Sequence, residues 1–178
     1  MKIKNHNPIL AAMALMAVSF TSTLGAADDL KTESQQAIEN FKKADSTLSP
    51  YFENSAGYAV FPSVGKGGLV VGGARGTGVL YEKGKPIGKA TLTQASIGAQ
   101  AGGQSFAEVI FFETKTAVED FKSGKFEMSA DVSAVAAAEG AAKSAKYKDG
   151  VMVFALPKKG LMVQASIGGQ KFKYEPFK

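Results

Sequence analysis

The residue types that most often do chemistry in enzymes are scarce in this chain. Its 178 residues include one His, His6, and no Cys. His6 lies in an N-terminal segment with the pattern of a removable export signal, so the exported protein has neither residue type. Nucleophiles activated by His, Cys nucleophiles, haem ligation by His and zinc sites with nitrogen or sulfur ligands each need one of them. These classes of site are excluded.

Carboxylates, Lys, Tyr and Ser remain as groups for catalysis. Glu119 and Asp120 are the only adjacent acidic pair after Asp28 and Asp29. They fall in a predicted helix, where successive side chains point in different directions, so we expect a solvated helix face. A carboxylate hydrolase is the alternative, and it needs two acids facing each other across a cleft with perturbed pKa values. The sequence predicts a protein that is not an enzyme and has no metal or cofactor.

Two glycine-rich segments, residues 65–68 and 72–78, invite comparison with phosphate-binding loops. A P-loop has four residues between its first Gly and its Gly-Lys pair, followed by Ser or Thr. Here five residues separate Gly78 from Gly84, and Pro stands where Ser or Thr is required. No G-x-G-x-x-G opens a predicted helix either. We therefore expect these glycines to bend strands or to allow close backbone packing.

Cations are the remaining chemical feature, and they are unevenly distributed. Without residues 1–27 the chain holds 19 Lys and Arg against 16 Asp and Glu, a net charge of +3. This charge is too low to predict nucleic-acid binding. The positive charge collects around two predicted turns, residues 83–89 and 157–160. If both turns lie at the same end of a sheet, they form one basic rim, whose members are Lys83, Lys85, Lys89, Lys158 and Lys159.

Such a rim suits an anionic membrane, where each Lys contributes roughly 1 kcal/mol. Arg75 is the only arginine and stands between Gly73 and Gly76, so exposed backbone N–H groups could join its guanidinium in holding a phosphate. Lys66, in the first glycine-rich segment, completes the set of candidate lipid-binding residues. The alternatives are a surface salt bridge for Arg75 and a solvated face for the lysines.

Hydrophobic periodicity predicts the elements that must position these residues. Apolar residues recur at helical spacing over residues 30–48, and Ser49-Pro50 begins a short second helix that ends before Gly57. A third helix is predicted over residues 114–123, with Thr116 and Glu119 as a capping box and Gly124 as its stop. Strands are predicted at residues 58–61, 69–72, 78–82, 89–100 and 107–113. Residues 125–144 begin as a strand, and the Ala-rich stretch 134–142 stays open between strand and helix.

One heptapeptide is repeated. The sequence QASIGAQ at residues 94–100 recurs as QASIGGQ at residues 164–170, with six of seven positions identical. Each copy follows a strand and a turn rich in Gly, Lys and Pro, so we expect two pseudo-symmetric hairpins in one antiparallel sheet. Along the strand that contains the first copy, side-chain alternation places Gln94 on one face and Thr93 on the other. We expect the Gln-containing strip to be the wet outer face, the alternative being the lining of a groove or half-barrel.

The N-terminus has the pattern of a secretory signal. Lys2 and Lys4 precede an apolar run of 12 residues, which is shorter than the ~20 that cross a bilayer as a helix. Small residues around Ala26 and Ala27 suit cleavage. Residues 1–27 are thus predicted to be a signal peptide and residues 28–178 one domain, periplasmic or secreted. An uncleaved anchor is the alternative, and lipidation on Cys is excluded.

The order of several segments resembles the SYLF domain family. They are AGYAVFP at residues 56–62, the glycine-rich stretch 66–78, SIGAQAGG at residues 96–103, and the hydrophobic strand leading into residues 114–121. The resemblance covers about residues 30–172 and implies a lipid-binding module without enzymatic activity. Eukaryotic members bind phosphoinositides and some bind actin. Actin is an unexpected partner for a protein with an export signal.

One departure from the family moves the expected site. Eukaryotic relatives use a basic amphipathic segment at the start of the domain, whereas residues 28–48 here hold three Lys against five acids. We therefore place lipid binding at the two turns.

The expected fold is α+β. N-terminal helices and one central helix pack on a curved, mainly antiparallel sheet that can close partly into a barrel. The expected function is that of an exported, non-catalytic protein that binds anionic, phosphate-bearing lipid head groups at an envelope membrane. The alternative is a structural or assembly protein of the cell envelope, whose Gly-rich and Ala-rich strands offer edges to protein partners.

Overall fold

A computed structural model of the protein describes residues 22–67, 71–97, 104–129, 132–158 and 165–178. Most of the predicted signal, Lys159 and parts of the predicted strands at 69–72 and 89–100 lie outside these ranges. The helices are α1 (Ser22–Ala44), α2 (Ser49–Asn54), α3 (Lys115–Lys122) and α4 (Ala141–Ser144), with a 3-10 turn at Ser46–Leu48. The strands are β1 (Gly57–Gly67), β2 (Val71–Glu82), β3 (Lys85–Ile97), β4 (Gln104–Phe112), β5 (Ser133–Ala136), β6 (Val151–Pro157), β7 (Ala165–Ser166) and β8 (Lys171–Pro176).

The strands form one sheet in the order β7-β5-β6-β4-β1-β2-β3-β8. All described ladders are antiparallel except the one between β5 and β6. Only four residues separate β7 at one edge from β8 at the other, so the sheet curves strongly. No described ladder joins these two strands, and the sheet is therefore not closed into a barrel. The expected α+β class is confirmed.

Both faces of the sheet are covered. The inner face holds Phe61, Leu80 and Leu92, and α3 adds Val118 and Phe121 to this core. The outer face holds a second core, in which helices α1, α2 and α4 pack on the sheet. The predicted apolar stripe of α1 is confirmed, since its apolar residues Ala37, Ile38 and Phe41 are buried.

The N-cap of α3 lies two residues before the predicted one. Thr114, not Thr116, is the N-cap residue, and its hydroxyl oxygen accepts a hydrogen bond from the Ala117 N–H at 3.2 Å. Both threonines precede the same apolar stripe, so the pattern identified the helix but not its cap. The Lys122 ammonium donates to Glu119 at 2.9 Å and to Glu82 of β2 at 3.1 Å, which ties the end of α3 to the sheet.

The first of the two predicted hairpins is confirmed, and residues 159–164 of the second lie outside the described residues. Strands β2 and β3 do pair, through a two-residue turn at Lys83 and Gly84 with φ values of 50° and 73°. The second copy of the repeat instead forms the short β7 and then a turn at Gly168 and Gly169. Strand β5 lies between β6 and β7. In the described residues the second copy therefore pairs with β5 and not with β6. A local pattern does not show which strand will be its neighbour.

At Gln94, which is the described part of the Gln-containing strip, the side chain on β3 faces inward, contrary to the expected wet face. Gln94 is 8% exposed and its amide donates to the Gly168 carbonyl at 2.9 Å, whereas Thr93 is exposed. Nearby, the Gln170 amide donates to the fully buried Glu108 carboxylate at 3.1 Å. Polar groups are thus buried where they can bond each other inside the curved sheet.

Candidate functional site

Strand register decides whether the predicted basic rim exists. Glu82 pairs with Lys85, so the β2–β3 turn lies at the sheet end where β6 begins at Val151. Pro157 ends β6 and pairs with Phe106, at the opposite end of the sheet. We call these the turn end and the far end. The two predicted turns lie at opposite ends, so the expected single rim is wrong.

The candidate cations accordingly separate into two groups. Lys83 and Lys85 are exposed at the turn end, and Lys89 lies further along β3. Lys66 pairs with Ala74 near the far end, and the exposed Lys158 follows the last residue of β6 there. Lys159 lies outside the described residues.

Arg75 lies on a different surface, the outer face of β2. It pairs with Gly65 of β1 and with Thr93 of β3, and Thr93 pairs with Lys171 of β8. Directly paired residues share a face, and neighbouring strands are about 4.8 Å apart. Arg75 and Lys171 thus lie on one face about 10 Å apart, with a threonine hydroxyl between them.

A second row of residues runs parallel to the first. Thr77 pairs with Ser63 and with Thr91, and Thr91 pairs with Lys173. Lys89 lies on the same face one step further along β3 and pairs with Glu175. We call Arg75, Lys89, Lys171 and Lys173 the cationic face. Its residues alternate with inner-core residues such as Ala74, Leu92 and Phe172.

Two carboxylates accompany the cationic face. Glu175 lies 2.7 Å from the Lys173 ammonium and 3.9 Å from that of Lys89, and Glu127 lies 3.1 Å from that of Lys171. The hydrogen bond from Lys173, its charge and that of Lys89 lower the pKa of Glu175. Four cations and two anions leave the face at +2. These ion pairs are exposed, so they are weak and can rearrange when an anionic partner arrives.

Lys171 and Lys173 were missed by the sequence reasoning. The signal was present, because Lys, Phe, Lys, Tyr and Glu alternate over residues 171–175 as in a strand with one wet face. The pattern does not show that this strand pairs with β3, and it is this pairing that brings its lysines beside Arg75.

The groups on the cationic face can bind a phosphate-bearing ligand. No group of three or more His, Cys, Asp or Glu that could hold a metal occurs within the described ranges. Guanidinium, ammonium and hydroxyl groups are donors to phosphate oxygens. No helix in the described part of the chain is long and apolar enough to cross a membrane.

The Gly-rich strands do not offer the edges that an assembly role was expected to use. β1 and β2 lie in the middle of the sheet with partners on both sides, and the Ala-rich β5 lies between β6 and β7. The edge strand β8 carries alternating charges and ends in Pro176, both of which discourage strand addition.

Comparison with known proteins finds a family and a curated protein that this chain resembles. Residues 93–175 match the Ysc84 family, described as Las17-binding protein actin regulator. Over 124 residues the chain is 34% identical to Beta cell expansion factor A of Aeromonas veronii. That alignment covers 68% of this chain and 46% of the relative, so the chain spans about half the length of the curated protein that it matches.

Proposed function

Because the chain belongs to the Ysc84 (SYLF) family, we propose that it is an exported, non-catalytic protein that binds anionic lipid head groups through its cationic face. The observation that carries the proposal is the alignment of Arg75, Thr93 and Lys171 in one row across three strands. The sheet fixes the spacing of the backbone positions that carry these donors, so no backbone order has to be created on binding.

The cationic face is preferred over the turn end for a geometric reason. Lys83 and Lys85 occupy the tip of one narrow hairpin. The cationic face draws its four cations from three neighbouring strands, and Ser63, Thr77, Thr91 and Thr93 lie in the same rows. A broad, hydroxyl-rich surface can contact several phosphate groups of a bilayer at once.

The proposal does not extend to actin. The family description names actin regulation, but the predicted export signal sends this chain to an envelope compartment. Sedimentation with filamentous actin should therefore leave the protein in the supernatant.

Co-sedimentation with vesicles tests lipid binding and its location together. At low salt, we expect the protein to sediment with vesicles of phosphatidylglycerol and phosphatidylcholine in about equal parts, and not with phosphatidylcholine alone. The triple variant R75Q/K171Q/K173Q should bind the anionic vesicles on the order of 100-fold more weakly, because each lost cation contributes roughly 1 kcal/mol near an anionic surface.

A matched control removes the same charge elsewhere. The variant K83Q/K85Q/K125Q loses three exposed cations outside the cationic face, and we expect only the small loss caused by net charge. Equal losses in both triple variants would show that the face has no special role, and failure of the native protein to bind would end the proposal.

A further inference from the structure

An open groove of about 760 Å³ lies between α1 and the far end of the sheet. It adjoins the rows of the cationic face at Ser63, but its floor comes from β1, β4 and β6, and none of the four cations of that face lines it. Pro62, Ala107 and Leu156 make this floor apolar, and the helix wall carries Thr32, Gln36 and Asn40. An apolar floor beneath a wall of hydrogen-bonding groups is the usual character of a ligand site.

The direction of α1 fixes how the groove runs. The Asp45 carboxylate, just after the helix, accepts hydrogen bonds from Gly140 and Ala142, beyond β5. Earlier in the helix, the Lys31 ammonium lies 4.7 Å from the Phe177 ring centre, just after β8. The helix therefore crosses the strands, and the groove follows it from β6 towards β1.

The polar side chains of the helix wall have the repeat of an extended peptide. Residues four apart on a helix lie about 6 Å apart along its axis, and two residues of an extended chain span about 6.6 Å. The Gln36 amide donates to the Asn40 oxygen at 3.3 Å. That bond holds the pair in line and leaves the Gln36 oxygen as an acceptor and the Asn40 amide as a donor, the complement of one peptide group.

The two ends of the groove carry opposite charges. Lys158 follows β6 at one end, and Glu33 lies near the Ser63 end, about 10 Å along the helix from Asn40. Both charged residues are exposed. This polarity matches a peptide whose two ends differ in charge.

We propose that this groove binds an extended peptide of about four residues, with its carboxylate end at Lys158 and its cationic end at Glu33. The Gln36 and Asn40 carboxamides bond its backbone, and its small side chains rest on the floor formed by Pro62, Ala107 and Leu156. The interaction is independent of lipid binding.

Calorimetric titration with the tetrapeptide Lys-Ala-Val-Ala as a free acid tests the proposal. We expect a Kd of roughly 10–100 μM, as for a small, flexible ligand. The variant Q36A/N40A should lose at least about tenfold in affinity. Q35A, an exposed neighbour that does not line the groove, should bind as the native protein does. The C-terminal amide of the peptide should bind about tenfold more weakly, and K158Q should remove the difference between acid and amide.

Vesicle binding by the groove variant distinguishes this proposal from lipid binding. Vesicle co-sedimentation of Q36A/N40A should equal that of the native protein. Three outcomes would overturn the peptide site. The first is no saturable binding up to about 1 mM peptide, and the second is equal affinity of Q36A/N40A and Q35A for the peptide. The third is displacement of the peptide by anionic vesicles, together with loss of both peptide and vesicle binding in Q36A/N40A.

Discussion

Replacing Gly78 by Ala should destabilise the protein by at least about 3 kcal/mol. Gly78 lies in β2 opposite an irregularity of β1, where the register shifts between Val60 and Ser63. A Cβ atom at this position would approach the Val60 carbonyl oxygen too closely, and it would lie 2.7 Å from Phe61 Cδ1 and 2.8 Å from the Val60 carbonyl carbon. Two of these three atoms are backbone, so the clash is relieved only by moving the central strand.

Urea unfolding followed by circular dichroism measures this effect. The control is G65A, because a Cβ at Gly65 of β1 has no atom within 4 Å. We expect the control to change the free energy of unfolding by no more than about 0.5 kcal/mol. Similar midpoints for G78A and the native protein would contradict the close approach of β1 and β2 on which the sheet depends.

The second large effect concerns Asp45, which joins the end of α1 to the segment before α4. Its carboxylate accepts hydrogen bonds from the Thr47 hydroxyl and from the backbone N–H groups of Thr47, Gly140 and Ala142, at 2.5 to 3.0 Å. Asp45 is fully buried. The variant D45A leaves these donors without an acceptor and should lose about 3 kcal/mol. The exposed E39A on α1 serves as the control.

The contribution of Asp45 to the free energy of unfolding should fall as the pH is lowered. Burial raises the pKa of its carboxyl, but the hydrogen bonds from Thr47, Ala142 and Gly140 outweigh it, so the pKa lies below the usual 3.8. A depressed pKa in the folded state adds stability above the unfolded-state pKa, and that stability is lost as the pH falls through the folded-state value. The stability difference between the native protein and D45A should be constant near neutral pH and shrink below about pH 4. A difference that grows on acidification would contradict the hydrogen-bonded carboxylate.

Local patterns identified α1, α2 and α3 but not α4, because the pattern of the Ala-rich stretch 134–142 leaves it open between strand and helix. The apolar stripe of residues 30–48 identified α1 and its buried face, and Ser49-Pro50 placed the start of α2. These signals work because helix formation depends on residues three and four apart. The N-terminal limit of α1 was not visible, since the structure continues the helix to Ser22, within the predicted signal segment.

The candidate site could not be placed from local patterns. Arg75 was identified from its residue type and its glycine neighbours, but its partners Thr93 and Lys171 depend on strand pairing. The same limitation produced the incorrect rim, because Lys83 and Lys158 belong to segments of similar composition that lie at opposite ends of the sheet. The repeat misled for a related reason. The two heptapeptides, identical at six of seven positions, have different neighbours, so one copy extends a long strand and the other is followed by a turn.

The location of lipid contact can be measured directly, because the chain has no native Cys. An environment-sensitive fluorophore is attached to T93C, in the centre of the cationic face, and in a separate protein to K83C, at the tip of the β2–β3 turn. On addition of anionic vesicles, we expect the emission of the T93C label to shift to the blue and that of the K83C label to stay unchanged. A shift at K83C with none at T93C would contradict the proposed binding face.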